Sequence, residues 1–177
     1  MDPGLNPGMT PKKKMNNIVS FLRRQESRKF WIQNIKNFNM QTRDIAAIIF
    51  TNDRGEVLLQ KKDMSFKRWP GRWCFFGGGL MENENPEEAL KREIKEEMGY
   101  DLVNAELFTV YEYADADRQG RMYVYTAKYD KPISSISIGE GAGFAFFAKE
   151  EIEGLSIIDH DLIILKKFLD KIWNSWI

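Results

Sequence analysis

The chain has 177 residues, 43% hydrophobic and 29% charged, with 26 basic side chains balanced by 26 acidic ones. That length suffices for one domain with a proper core, and a single cysteine excludes an internal disulfide framework. No run approaches the ~20 apolar residues of a membrane helix; IAAIIF and LIIL are far too short. A cytoplasmic protein without membrane attachment is expected.

The charge is unevenly spread. Residues 1–39 carry eight Lys or Arg against Asp2 and Glu26, whereas residues 40–177 carry 18 basic and 24 acidic side chains. The opening MDPGLNPGMTPKKKM is rich in Pro, Gly and Lys and reads as disordered. Residues 1–39 are therefore expected to be a basic, flexible N-terminal extension, and residues 40–177 the folded domain. Such an arm could also hold nucleic acid.

From Met40 the pattern sharpens. DIAAIIF reads as a buried strand, TNDRGE as a turn and VLLQKK as the returning strand, together a hairpin. DMSFKRWPGRW is a loop punctuated by Pro70-Gly71. WCFF is a short strand running into Gly77, Gly78 and Gly79, and a helix follows from Pro86 to about Met98. AELFTVYEYA and RMYVYTAKY are aromatic-rich strands joined by the turn DADRQG; AGFAFFA is another strand. A last helix begins near Asp159, with Leu162, Leu165, Leu169 and Ile172 at helical spacing. Strands separated by two helices imply an α/β fold with a mixed sheet covered by helices.

The helix at Pro86 is well begun. Asn85 is a good N-cap, Pro86 fits the first turn and Glu88 completes a capping-box pattern; Gly99 is the expected stop. Leu90, Ile94 and Met98 form its buried stripe. Its end is badly charged. Glu93, Glu96 and Glu97 fall beside that stripe within an arc of roughly 100°. Glu93 and Glu97 repel at i,i+4, and Glu96 and Glu97 lie where the helix dipole prefers cations. Acidic helices are ordinarily solvated faces, but a local conflict of this kind tends to mark a functional site. Oxygen ligands at i, i+3 and i+4 suit Mg2+ or Mn2+. The neighbouring glycines let backbone approach a ligand closely.

The spacing from Gly78 through Glu84 to Arg92-Glu93-Ile94-Lys95-Glu96-Glu97-Met98-Gly99-Tyr100 resembles the Nudix box, G-x5-E-x7-R-E-U-x-E-E-x-G-U, where U is a bulky aliphatic residue. All seven fixed letters match, a coincidence on the order of one in a hundred million at a given position. Tyr100 replaces the last aliphatic residue, and Gly77 stands where many members have proline. The resemblance implies a Nudix-like α/β/α sandwich that hydrolyses the diphosphate bond of a nucleoside diphosphate derivative, such as a nucleoside triphosphate, an oxidised deoxynucleotide or a nucleotide sugar. It implies that Glu93, Glu96 and Glu97, assisted by the Gly77 carbonyl, hold Mg2+ or Mn2+, and that Arg92 orients the glutamates, with Glu84 as a partner. Glu93, Glu96 and Glu140, on the loop SIGEGAGFAFF, are the candidates for general base. Alternatives are a pyrophosphohydrolase of RNA 5' ends and a nucleotide sensor without turnover. A homodimer is compatible with any of these.

Arg68, Trp69, Arg72 and Trp73 precede the glycines and could contact phosphate or stack on a base, with Gly78 beside them; Trp73 suits the core equally well. Tyr111 with Tyr113, and Tyr123 with Tyr125, share strand faces; one pair could line a substrate pocket, and packing is the expected use. His160 is expected to serve the start of the last helix, and Cys74 to be an inert buried thiol.

Overall fold

A computed structural model describes residues 41–115, 117–137 and 141–174. The expected extension, residues 1–39, and Glu140 lie outside them. The strands are β1 (Gln41–Thr42), β2 (Ile45–Thr51), β3 (Val57–Lys61), β4 (Trp73–Cys74), β5 (Phe76–Gly79), β6 (Glu106–Ala114), β7 (Arg118–Lys128) and β8 (Gly143–Phe147). The helices are α1 (Pro86–Met98), the short α2 (Lys149–Ile152) and α3 (Asp159–Asn174).

The chain falls into two units. The described part of the smaller one is residues 41–42, 114–115 and 117–119, where Gln41 and Thr42 pair in parallel with Arg118 and Gln119. The larger one, Arg43–Tyr113 with the residues from Gly120 onward, holds the site.

β2 is the hub of the larger unit. One edge pairs in parallel with β7 along its whole length, Ile45↔Met122 to Thr51↔Lys128. The other edge is shared. Phe50 and Thr51 pair with Leu58 and Val57 in the expected hairpin, whereas Ile45 to Ile48 pair with Gly79 to Phe76 of β5. β3 thus leaves β2 after two residue pairs and continues with β8 on one side and β4 on the other. The single strand expected from WCFF is in fact two, broken at Phe75, because β4 follows β3 while β5 must cross to β2.

Alternation along these strands builds two cores. Ala46, Ile48, Phe50, Leu58 and Phe76 face α1, where Ala89, Leu90, Ile94 and Met98 meet them. Ala47, Ile49, Val57, Leu59 and Phe75 face α3 and its Ile164, Leu165, Phe168 and Leu169. Burying each large aliphatic side chain contributes about 1.5–3 kcal/mol, so the two apolar stripes hold the helices onto opposite faces in an α/β/α sandwich. Tyr100 is buried, edge-on to Phe50 and tilted against Tyr129. Both tyrosine pairs pack, Tyr111 and Tyr113 on the α3 side, Tyr123 and Tyr125 on the α1 side.

α1 begins and ends as its sequence dictates. The Asn85 side chain accepts from the N–H groups of Glu87 and Glu88, both at 3.0 Å, and Glu88 accepts from the Asn85 N–H at 3.1 Å. Gly99, at φ 66°, closes the helix by donating to the Lys95 carbonyl at 3.0 Å.

Candidate active site

The last turns of α1 lie across the glycine strand. Glu97 is 8% exposed, and each of its carboxylate oxygens accepts one neutral donor. Oε1 accepts from Gln60 Nε2 at 3.0 Å, and Oε2 accepts from the Gly77 backbone N–H at 2.8 Å. Burial pushes the Glu97 carboxyl above its ordinary range, against the opposing pull of those two hydrogen bonds. Glu97 makes no ion pair among the described residues; the positive charge that acts on it, Lys62, does so without direct contact.

Glu93 comes down on the next glycine. A Cβ at Gly78 would stand 2.3 Å from the Glu93 carboxyl carbon, so only glycine leaves room for the carboxylate there. Gly77 is required for a second reason. It sits at φ 128°, and a Cβ would press within 2.2 Å of the Ala46 carbonyl oxygen in β2. The close approach of β5 to both β2 and α1 therefore depends on two residues without side chains.

Arg92 organises the acids around it. Its Nε and one terminal nitrogen grip Glu84 at 2.8 Å each, a bidentate pair; that nitrogen also donates to the Gly79 carbonyl at 3.2 Å. The other terminal nitrogen reaches Glu93 at 2.7 Å and Glu96 at 3.4 Å. The guanidinium and the Met81 N–H together hold the Glu84 carboxyl down to about 2. Arg92 itself is raised, first by Glu84.

Glu93 and Glu97 thus flank β5, while Glu96 stands apart. Its side chain is 58% exposed and turned toward Arg92. The helical wheel contains the reason, since Glu96 lies about 100° from Glu97 and Glu93 only about 40°. Among the described residues, no three His, Cys, Asp or Glu side chains converge closely enough to enclose an ion. The donor chemistry nevertheless fits a hard divalent cation. Glu93 and Glu97, which face β5 from the last turns of α1, both offer carboxylate oxygen, and neither oxygen of Glu97 is taken by an ion pair among the described residues.

The residues before the glycines are placed elsewhere. Arg68 lies over the Trp69 ring at 5.6 Å. Arg72 donates to the Ile157 carbonyl and to Asp159 at 2.6 Å, tying the loop to the start of α3. Trp73 pairs through its backbone with Ser156 and Ile158 and meets Phe147 edge-on at 4.7 Å. His160 is buried between Trp69 and Tyr113, which lowers it to about 4. Cys74 is buried too, and its thiol is pushed well above the usual range.

Gln60 is the residue that sequence reasoning missed. At the end of the apolar run VLL and before Lys61 and Lys62, it reads as the polar end of a strand. In the fold it is 2% exposed. The same alternation that places Leu58 toward α1 also places Gln60 there, and that was the available signal.

Known proteins bear on this arrangement. The NUDIX domain pattern matches residues 40–169. The nucleoside triphosphatase NudI of Salmonella agona (strain SL483) is 31% identical over 128 residues, covering 68% of this chain and 89% of the relative. Its counterpart in Salmonella newport (strain SL254) is 32% identical over the same shares. Among solved structures, a MutT protein from Methanosarcina mazei Go1 superposes with a TM-score of 0.68 at 17% identity, over 76% of this chain and 98% of that one. A MutT NUDIX hydrolase from Burkholderia pseudomallei gives 0.60 at 26% identity, over 71% and 97%. Hydrolases of this family generally use divalent cations. With the box intact, its helix laid on a glycine strand and the whole fold shared, the chain belongs to the Nudix hydrolase family and is a pyrophosphohydrolase.

Proposed function

We propose that the protein hydrolyses nucleoside triphosphates between the α and β phosphates, with Mg2+ or Mn2+, releasing a nucleoside monophosphate and pyrophosphate. The observation that carries this reading is the buried Glu97 carboxylate, fixed at both oxygens by neutral donors and in contact with no basic side chain among the described residues. The substrate class follows from the relatives, which are named nucleoside triphosphatases. Nucleotide pools place such an activity in the cytoplasm.

Glu93, Glu96 and Glu97 would hold the metal, with the Gly77 carbonyl beside them. A bound divalent cation supplies charge neutralisation on the diphosphate and a more acidic water. Gly77 and Gly78 keep β5 narrow enough for the carboxylates to reach it. Arg92 fixes Glu93 and reaches Glu96 at 3.4 Å, while Glu84 fixes Arg92. The attacking water loses a proton to a glutamate, for which Glu93, Glu96 and Glu140 are the candidates. Arg68, Arg72, Trp73 and Gly78 remain the proposed substrate contacts. Arg72 would have to leave Asp159, an exposed partner, to serve in that way. The domain would span residues 40–177, with the basic residues 1–39 appended.

The test is a product-resolved screen of wild-type and Glu97→Gln protein with nucleoside triphosphates, oxidised deoxynucleotides, nucleotide sugars and triphosphate-ended RNA. Expected are monophosphate and pyrophosphate from triphosphates, and at least about a 100-fold lower kcat in the variant. Turnover confined to RNA ends or sugar conjugates would overturn the substrate class. A fully active variant would overturn the metal assignment.

A further inference from the structure

β3 is buried on both faces where Gln60 stands, a setting that favours aliphatic side chains. Gln60 Nε2 carries two hydrogens and has two acceptors, the Phe75 carbonyl at 3.1 Å and Glu97 Oε1 at 3.0 Å. Phe75 is the residue at which the chain breaks between β4 and β5. Its N–H donates to Asp161 Oδ2 of α3 at 2.9 Å, while its carbonyl accepts from Gln60. The backbone at the break is therefore held from both faces of the sheet. Two residues on, the Gly77 N–H holds the other oxygen of Glu97. Both donors to Glu97 are thus referenced to one fixed stretch of backbone.

The choice of a neutral amide matters. A Lys or Arg in this place would neutralise Glu97 and compete with a cation. A carboxylate would repel it. An amide fixes the orientation of the carboxylate, occupies one lone pair of Oε1, and adds no charge of its own beside Glu97.

We infer that Gln60 is a positioning residue of the cation site, orienting Glu97 and locking it to the break at Phe75. This rests on the reading of Glu97 as a cation ligand. The full-length protein, stripped of metal, is titrated with Mn2+ alone and free Mn2+ is followed by electron paramagnetic resonance. Gln60→Met keeps the length and removes the donors; Gln60→Asn keeps the amide but withdraws it. In both, Kd for Mn2+ rises about 10–100-fold. Saturating Mn2+ restores most of kcat, and KM for the nucleotide moves little. Unchanged Mn2+ affinity in a folded variant, even with a lowered Tm, would overturn the inference and leave Gln60 a packing residue. Failure of the wild-type protein itself to bind Mn2+ would overturn the cation reading of Glu97, and with it this inference.

Discussion

Two helices each press a buried carboxylate onto the same few residues of backbone, and they do so from opposite ends. Asp161 lies in the first turn of α3, where the helix dipole favours an acid, and takes the Phe75 N–H. Glu97 lies in the last turn of α1, where the dipole opposes it, and takes the Gly77 N–H. One placement costs the helix nothing, and the other runs against it. The same chemical group on the same sheet thus has two meanings. An acid where the helix wants one serves the fold, whereas the acid the helix resists is the one we propose as a cation ligand.

The sharpest way to separate the two regions is to move the acid without removing it. Gly78→Ala puts a methyl group into the space of the Glu93 carboxylate, a flexible side-chain end that can yield. Activity should fall about 10–100-fold as the proposed ligand is displaced, with little change in urea stability. A variant as active as wild type would mean that the Glu93 position over Gly78 is immaterial. Asp161→Ala should do the reverse. It strands the buried Phe75 N–H and costs about 1–3 kcal/mol of stability, read by urea denaturation, while activity falls far less than in Gly78→Ala. Equal losses of activity in the two variants would erase the distinction between the helices.

The smallest effect concerns the rim of the acidic site. The Arg92 guanidinium holds the Glu84 carboxyl at about 2 instead of the ordinary 4.5. A group whose folded value is depressed stabilises the fold above its unfolded value and loses that contribution as it is protonated. Wild-type protein should therefore exceed Glu84→Gln in Tm above pH 4.5, and the gap should close as pH falls toward 2. A gap that is constant with pH would mean that the pair contributes packing and no charge.

How much of this is legible in the sequence depends on range. α1 was readable to its caps because Asn85, Pro86, Glu88 and Gly99 act within one turn of their targets. The hairpin of β2 and β3 was readable for the same reason. The break at Phe75 was not, since it arises only when β4 and β5 choose different partner strands. The bonds of Arg72 to Ile157 and Asp159 were not legible either, since those partners lie more than 80 positions away. Gln60 escaped because a polar residue beside two lysines looks like the edge of a strand. Only the burial of its face shows that its amide must be answered by partners.

The sharing of β2 among three strands has a consequence for the unfolded chain. IAAIIF is apolar, β-branched and uncharged, the kind of segment that pairs with copies of itself when an edge is free. In the fold both of its edges are taken, by β7 on one side and by β5 and β3 on the other. It is released only when the sheet as a whole opens, so the hazard is hidden until heat or denaturant exposes it. Where released copies pair with one another, loss of the protein on heating is governed by how fast the sheet opens, and dilute protein keeps the melting reversible.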